Sequence, residues 1–498
     1  LRLVWIIPIL LLSLNAYAAP FTVTVTATKI DITAGTGTLE QMYQDVEAVD
    51  ATAMTKTGTD PYTYEVEGNR ELEISNNVIV NMYNDSDVLQ WDLSANSYPI
   101  LDISEGGIFN VGDGTVTGDD QQIIGDVNDT YYSYIYVYGS FNLQGTSGHD
   151  VVVTQYRSIY FFTADDATDV CDWDYVTLSN PTLSSGYMLA FDGASQQVIP
   201  QHTFNNITIS DTGGLGYGIY VYNGAWLHDC TFDNITIDNV DRLYIYGAST
   251  IKFTNCTFQN IDYYAPLHYV SGGDLSVAHY NTAQTETWGT KYQQSKIVYE
   301  NCTFDSNYDV STKYGSYAVA RGSLVLFKDC TFQNVAYGVY AYGGGIAIYA
   351  GTNTFTNVTT ADRRWATNGT HLHVRTLDLT VYKPGGAVAL ENARVNIRQK
   401  DGKEEWSFLT DSNGNIKDVY GDLPVFTEKE ETATGVFTQW SDGAGNNVHV
   451  MTVSHPDYAL SQQEIVFTSD QTISVTMEAE AQAKTKIHSS TIYDSTIY

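Results

Sequence analysis

Between residues 225 and 332 apolar and polar positions alternate with period two, and the alternation restarts at one repeated phrase. The phrase is Asp or Asn followed by Cys-Thr-Phe: Asp229-Cys230-Thr231-Phe232, Asn255-Cys256-Thr257-Phe258, Asn301-Cys302-Thr303-Phe304 and Asp329-Cys330-Thr331-Phe332. Three residues before each Cys stand Leu227, Phe253, Tyr299 and Phe327, and five before stand Ala225, Ile251, Ile297 and Val325. Two before stand the polar His228, Thr254, Glu300 and Lys328. Residues two apart share a face in a strand, so the pattern predicts strand and excludes helix. Asp or Asn before the Cys tolerates a left-handed backbone, which predicts a tight bend, after which Cys and Phe return to the inward face. The four Cys are thus expected at one inward position of a repeat.

Weaker copies flank the phrase at Thr203-Phe204-Asn205 and Thr354-Phe355-Thr356. The Phe positions 204, 232, 258, 304, 332 and 355 are spaced by 28, 26, 46, 28 and 23 residues. The 46-residue step reads as one unit carrying an insertion over Ser271 to Gln294. Units of this length cannot bury a core alone and must stack. A strand, a bend, a strand, a turn and a strand within one unit describe a coil of a parallel β-helix, with coils about 4.8 Å apart.

The phrase and its spacing resemble the right-handed parallel β-helix superfamily, which includes pectate-lyase-like enzymes, phage tailspikes and microbial surface proteins. The resemblance covers roughly residues 65–370. It implies fold more than function, because this architecture hosts lyases, hydrolases, adhesins and structural rods. The expected fold class is all-β: a right-handed single-stranded parallel β-helix followed by a small β-sandwich. Roughly a dozen coils would make a rod on the order of 60 Å.

The rest of the chain divides around that rod. Residues 1–18 read as a secretion signal: Arg2, an apolar run Val4 to Leu14, and small residues at Ala16-Tyr17-Ala18. Residues 19–62 read as an N-terminal cap. There Thr38-Leu39-Glu40-Gln41 forms a capping box, and Leu39, Met42, Tyr43 and Val46 share one helix face. Residues 63–370 are the β-helix and 371–480 the β-sandwich. The run from Leu390-Glu391-Asn392-Ala393-Arg394-Val395 to Thr410-Asp411 and Gly414 resembles carboxypeptidase-regulatory-like and collagen-adhesin-B-like domains. That resemblance implies a stalk or adhesive module. Residues 481–498 form a tail in which Ser-Thr-Ile-Tyr occurs twice, reading as a truncated repeat or a strand-like arm.

Composition narrows the partners. The chain has 498 residues, Lys+Arg 24 against Asp+Glu 58, and a formal net charge of −34. So acidic a chain argues against nucleic acid. It fits a soluble secreted surface, with the membrane met only through the secretion signal. Five Cys are present. Four of them occupy the repeat, so buried free thiols are favoured over a disulfide framework.

Candidate chemistry lies in two places. Tyr134, Tyr136 and Tyr138 share one strand face while Ile135 and Val137 take the other. The pattern returns at Tyr220 and Tyr222, at Tyr244 and Tyr246, and at Tyr340 and Tyr342. With Ile and Val inward, these tyrosines make an outward ladder. Such a ladder stabilises the sheet by stacking, offers sugar rings a stacking surface, or is covered by a partner protein. Trp288, in the insertion, joins the candidates. The second place is residues 165–174, where Asp165, Asp166, Asp169 and Asp172 are candidate ligands for Ca²⁺. No other cofactor is expected. The alternatives there are a pair of catalytic acids and, more blandly, a solvated acidic loop. His371 and His373 share a strand face, with no further metal ligand evident.

The polygalacturonase pattern needs a Gly-His-Gly and an Arg-Ile-Lys, and neither is present; nor are pectate-lyase arginine motifs. No catalytic residue is therefore assigned. The sequence points to a secreted or cell-surface structural or adhesive protein that presents a tyrosine-lined face. Expected partners are a polysaccharide or surface glycan, another surface protein, or further copies of itself. A polysaccharide lyase or glycoside hydrolase of the pectate-lyase-like fold is the alternative.

Overall fold

The computed structural model describes residues 21–479 except 60, 85–86, 94–97, 116–119, 127–132, 163–168, 180–185, 193–197, 200–201, 211–215, 223–225, 228–229, 247–250, 262–263, 270–296, 307–313, 320–323, 343–344, 367–368, 401–404, 419–420, 434–435 and 440–447. The expected secretion signal and the tail lie outside the described residues, as do Trp288, Asp165 and Asp166.

The chain winds into a parallel β-helix whose coils have three faces. On the first face, eleven parallel pairings join twelve described strands, from Lys29–Thr38 to Ala361–Ala366. Most inward positions described on this face are apolar, with Ser133 and Ser158 as buried polar exceptions, because each strand places alternate residues against the core. On the second face the inward column runs Trp173, Phe204, Phe232, Phe253, Tyr299, Phe327 and Tyr349. The later rings of this column stack at 4.8 to 5.9 Å. On the third face Ile237, Phe258, Phe304, Phe332 and Phe355 align.

The bend between the second and third faces is a single left-handed residue in successive coils. Asn206, Asn234, Asn255, Asn301 and Asp329 have φ of 50° to 55°, and Gly351 has φ 60°. The bends also hydrogen-bond from coil to coil: Asn255 N–H donates to the Glu300 carbonyl and Asn301 N–H to the Lys328 carbonyl, both at 2.9 Å.

One expectation is corrected here. The first copy of the phrase does not occupy the slot of the other three. Cys230 aligns with Ile251 and Phe232 with Phe253, on the second face. Cys256, Cys302 and Cys330 follow the bend and begin the third face. Apolar-polar-apolar alternation suits either face, and the left-handed residue decides: Asn234 comes after the first copy, whereas Asn255 comes before the second. None of the five Cys forms a disulfide, and all are buried.

At the N-terminal end, helix Leu39–Val49 is opened by Thr38, whose hydroxyl accepts from Gln41 N–H while the Gln41 side chain accepts from Thr38 N–H. Its buried residues Leu39, Met42 and Val46 join the core of the first coils. No helix among the described residues is long and apolar enough to cross a membrane.

At the other end the 13-residue strand Thr370–Tyr382 starts as a rung of the second face, parallel to Ile346–Ala350. It then pairs antiparallel with Val425–Ala433 and parallel with Gln471–Thr476. A four-stranded antiparallel sheet follows, in the order Glu405–Leu409, Arg394–Gln399, Val448–His455, Tyr458–Val466. Val425 and Phe426 belong to this unit's core with Leu379, Trp406, Met451 and Phe467. The same core takes in Val298, Leu326, Ile348 and Leu372 from the outward side of the last coils. The C-terminal unit therefore packs on the flank of the rod and does not stand off it as a stalk.

Candidate functional site

The outward side of the first face carries the tyrosines. Ile135 and Val137 point into the core, which turns Tyr134, Tyr136 and Tyr138 outward. Register then stacks one outward position along the rod: Asp31, Glu73, Asp102, Tyr136, Tyr160, Ala190, Tyr220 and Tyr244. By backbone register the column continues through Leu267, Tyr317 and Tyr340. Tyr222, Tyr246 and Tyr342 lie on strands of this face, and their side chains fall outside the described parts.

Six described rings link into an unbroken row from Tyr138 to Tyr220, and Tyr244 extends it. Tyr138 stacks on Phe162 at 4.5 Å, Phe162 meets Tyr136 at 5.3 Å, and Tyr136 meets Tyr160 at 5.7 Å. Tyr160 touches Tyr187 at 6.2 Å, Tyr187 stacks on Tyr220 at 4.3 Å, and Tyr220 stacks on Tyr244 at 5.4 Å. Tyr134 and Tyr217 flank the row. Arg157 lies 5.7 Å from the Tyr134 ring and Arg242 5.1 Å from the Tyr217 ring. Each such aromatic pair adds about 0.5–1.5 kcal/mol beyond its buried area, so the row also braces the sheet. Tyr340 departs from the expectation. It is 7% exposed, and the following strand Ala361–Ala366 continues the sheet beside it, so its ring is not a free stacking surface.

Sequence reasoning found Tyr134, Tyr136, Tyr138, Tyr220 and Tyr244, but not Tyr160, Phe162, Tyr187 or Tyr217. Ser158-Ile159-Tyr160-Phe161-Phe162 keeps the same alternation. It lacks the Tyr-x-Tyr signature because Phe stands for the second Tyr.

Burial governs the ionisation of this face. It raises the Tyr136 and Tyr138 hydroxyls and pushes Tyr160 up to about 12, so these phenols stay protonated donors at neutral pH. The carboxyl of Asp102 is pushed to about 6, first by burial and then by the Glu71 carboxylate, with Lys29 opposing. Burial raises Asp192 as well. Phenol hydroxyls on flat rings, with carboxylates at one end of the row, suit stacking and hydrogen bonding to a polyhydroxylated chain.

The proposed Ca²⁺ ligands do not converge as far as they are described. Asp169 is buried and accepts the Gly106 N–H at 3.2 Å. Asp172 is exposed on the next strand, where its N–H donates to Asn142 Oδ1 at 3.0 Å. Among the described residues no group of three or more His, Cys, Asp or Glu is placed to hold a metal. His371 and His373 are packed against Tyr349, with the Tyr349 hydroxyl 2.8 Å from His371 Nδ1. Burial pushes His373 down to about 3, followed by the nearby Lys429, Arg363 and Arg375 charges.

A family model described as "Right handed beta helix region" matches residues 176–360, the coils with the asparagine bends. Among solved structures the chain is similar to the gp42 tailspike of Acinetobacter phage vb_AbaP_AS12, at 11% identity and a TM-score of 0.31, covering 81% of this chain and 76% of that one. It is also similar to the catalytic unit of a thermostable GH87 alpha-1,3-glucanase from Streptomyces thermodiastaticus strain HF3-3, at 15% identity and a TM-score of 0.25, covering 61% and 62%. No curated protein matches the sequence.

Proposed function

We propose that this chain is an extracellular or cell-surface rod that retains glycans on the tyrosine-lined first face of its β-helix. The C-terminal unit reads as a small β-sandwich that braces the last coils. The single observation that carries the reading is the ring row from Tyr138 to Tyr244, carried outward on one rigid face. A rigid aromatic platform binds sugar rings without the cost of ordering it.

The test is retention of the full chain on neutral and acidic polysaccharides, with and without Ca²⁺. Tyr136→Ala, Tyr220→Ala and Tyr244→Ala together should abolish retention while the thermal transition persists. Unchanged retention in the triple variant overturns the reading. The same incubations report new reducing or unsaturated ends. Their appearance would replace an adhesive rod with a polysaccharide lyase or hydrolase.

A further inference from the structure

The C-terminal sheet ends in a strand with an open edge. Tyr458–Val466 is the last of its four strands, and among the described residues it pairs along its length only with Val448–His455. Its other side meets the chain at one place: Tyr458 bridges Ala479, and Ala459 N–H donates to the Glu478 carbonyl at 2.9 Å. Alternate residues of a strand turn their N–H and C=O groups to the same side. Those of Ser461, Gln463 and Ile465 therefore face the same side as those of Ala459, and no described strand takes them up. Natural edges are blunted by Lys, Pro or charge. Residues 460–466 hold neither Lys nor Pro, and Leu460 is 64% exposed and Val466 40%.

The chain itself carries a segment that fits this edge. The tail begins after Ala479, at the first residue of the open strand. Residues 489–498 read Ser-Ser-Thr-Ile-Tyr-Asp-Ser-Thr-Ile-Tyr, with no Gly or Pro. Thr, Ile and Tyr favour strand. Lys484 and Lys486 offset Glu480 and Asp494, so the tail adds no net charge to a chain of −34 and can approach another copy without repulsion of its own. Direction decides whose edge it meets. Tyr458 and Ala479 are antiparallel partners, so by Ala479 the chain has passed the start of the edge strand and heads away from residues 460–466. Residues 480–488 carry the arm up to about 30 Å further when extended.

We propose that residues 489–498 of one copy add as a strand to the open 460–466 edge of a second copy, so that rods join through their C-terminal units. Main-chain hydrogen bonds to Ser461, Gln463 and Ile465 supply the contact. Because arm and edge are different surfaces, the contact repeats from copy to copy.

The test uses the full chain in sedimentation and hydrogen exchange. The wild type should associate as its concentration rises, and the amides of Ser461, Gln463 and Ile465 should exchange about tenfold more slowly in the associated form. Gln463→Pro removes one N–H from the open side and none from the pairing with Val448–His455. Ile492→Pro with Ile497→Pro breaks the arm. Each variant alone should be monomeric. Mixed, the two should form dimers and nothing larger, because an intact arm then meets an intact edge at one junction only. A wild type that stays monomeric at every concentration overturns the proposal; edge amides protected in that monomer would show the tail folded on its own edge. Association that survives either variant, or a mixture that restores nothing, places the contact elsewhere and also overturns it. If Gln463→Pro fails to fold, Leu460→Lys with Val466→Lys blocks the same edge and takes its place in each comparison.

Discussion

Cys302 stands in an inward column between Cys256 and Cys330, and its thiol donates to the backbone carbonyls of Glu300 at 3.3 Å and Phe253 at 3.5 Å. Burial pushes the Cys302 and Cys330 thiols well up, which disfavours the reactive thiolate. All five thiols should therefore be silent to an alkylating reagent in the folded chain and react once it is denatured. Cys302→Ala should fold with a loss of about 1–2 kcal/mol. A change in mobility between reduced and non-reduced wild type would show a disulfide instead. The absence of a disulfide framework was expected from the repeat, although Cys230 stands in a different slot from Cys256, Cys302 and Cys330. His202 was not legible, because nothing in Gln201-His202-Thr203 announces burial. It is 3% exposed, accepts the Cys171 N–H on Nδ1 at 3.0 Å, and packs on Phe161 and Phe204. Burial holds its pKa at about 3 against an ordinary 6.5. A depressed folded pKa contributes stability that is full above 6.5 and is lost as pH falls from there towards 3. His202→Gln keeps an acceptor without the titration. Its thermal midpoint should fall less steeply than that of the wild type across that window, and parallel curves would reject the assignment.

At the scale of the coil, the left-handed bend sets where one face ends and the next begins. Asn301 has φ 54°, and its N–H holds the neighbouring coil through the Lys328 carbonyl. An alanine there keeps the hydrogen bond but strains the backbone by about 1–2 kcal/mol. A glycine relieves the strain, as Gly351 does two coils later. Asn301→Ala should lower the denaturant midpoint and Asn301→Gly should nearly restore it; equal effects would mean that the bend residue matters only through its side chain. The bend was legible because Asn precedes Cys in two copies of the phrase. The register of the first copy was not, because Asp229-Cys230-Thr231-Phe232 fits two faces equally and only the later Asn234 settles it. Two asparagines of Asn-X-Thr triplets use their side-chain amides between coils: Asn255 Nδ2 donates to Asp233 Oδ1 at 3.0 Å and Asn234 Nδ2 to Asn206 Oδ1 at 2.6 Å. The ladder of outward tyrosines was read from period two alone. Its continuity through Tyr160 and Tyr187 needed the pairing register, which local alternation does not carry.

Over the whole molecule, the strands change character along the rod. Glu71–Ile74 and Ile79–Met82 alternate buried and half-buried positions, as strands with one solvated side do. Leu324–Lys328 buries its first four residues and Ile346–Ala350 all five. Strands apolar on both sides are strands covered on both sides. The runs Leu-Val-Leu-Phe and Ile-Ala-Ile-Tyr-Ala thus announce a second layer in the sequence itself, although the reading by period two passed over them. That layer is the C-terminal unit, whose core includes Val298, Leu326 and Ile348. Lys252 sits at its margin, bonded to Glu300 at 2.9 Å and to Asp422 at 2.7 Å. The pair to Asp422 is half-buried, but it is a single polar contact beside an apolar contact made by many side chains, so Lys252→Ala should leave the unit docked. An unpaired carboxylate inside the apolar contact costs several kcal/mol, so Leu326→Asp should release it. Limited proteolysis of the full chain separates the two outcomes. In Leu326→Asp, cleavage should appear near the turn at Pro384-Gly385-Gly386 while far-ultraviolet dichroism still reports the coils. Resistance equal to that of the wild type would mean that the shared strand Thr370–Tyr382, and not the flank contact, holds the two parts together.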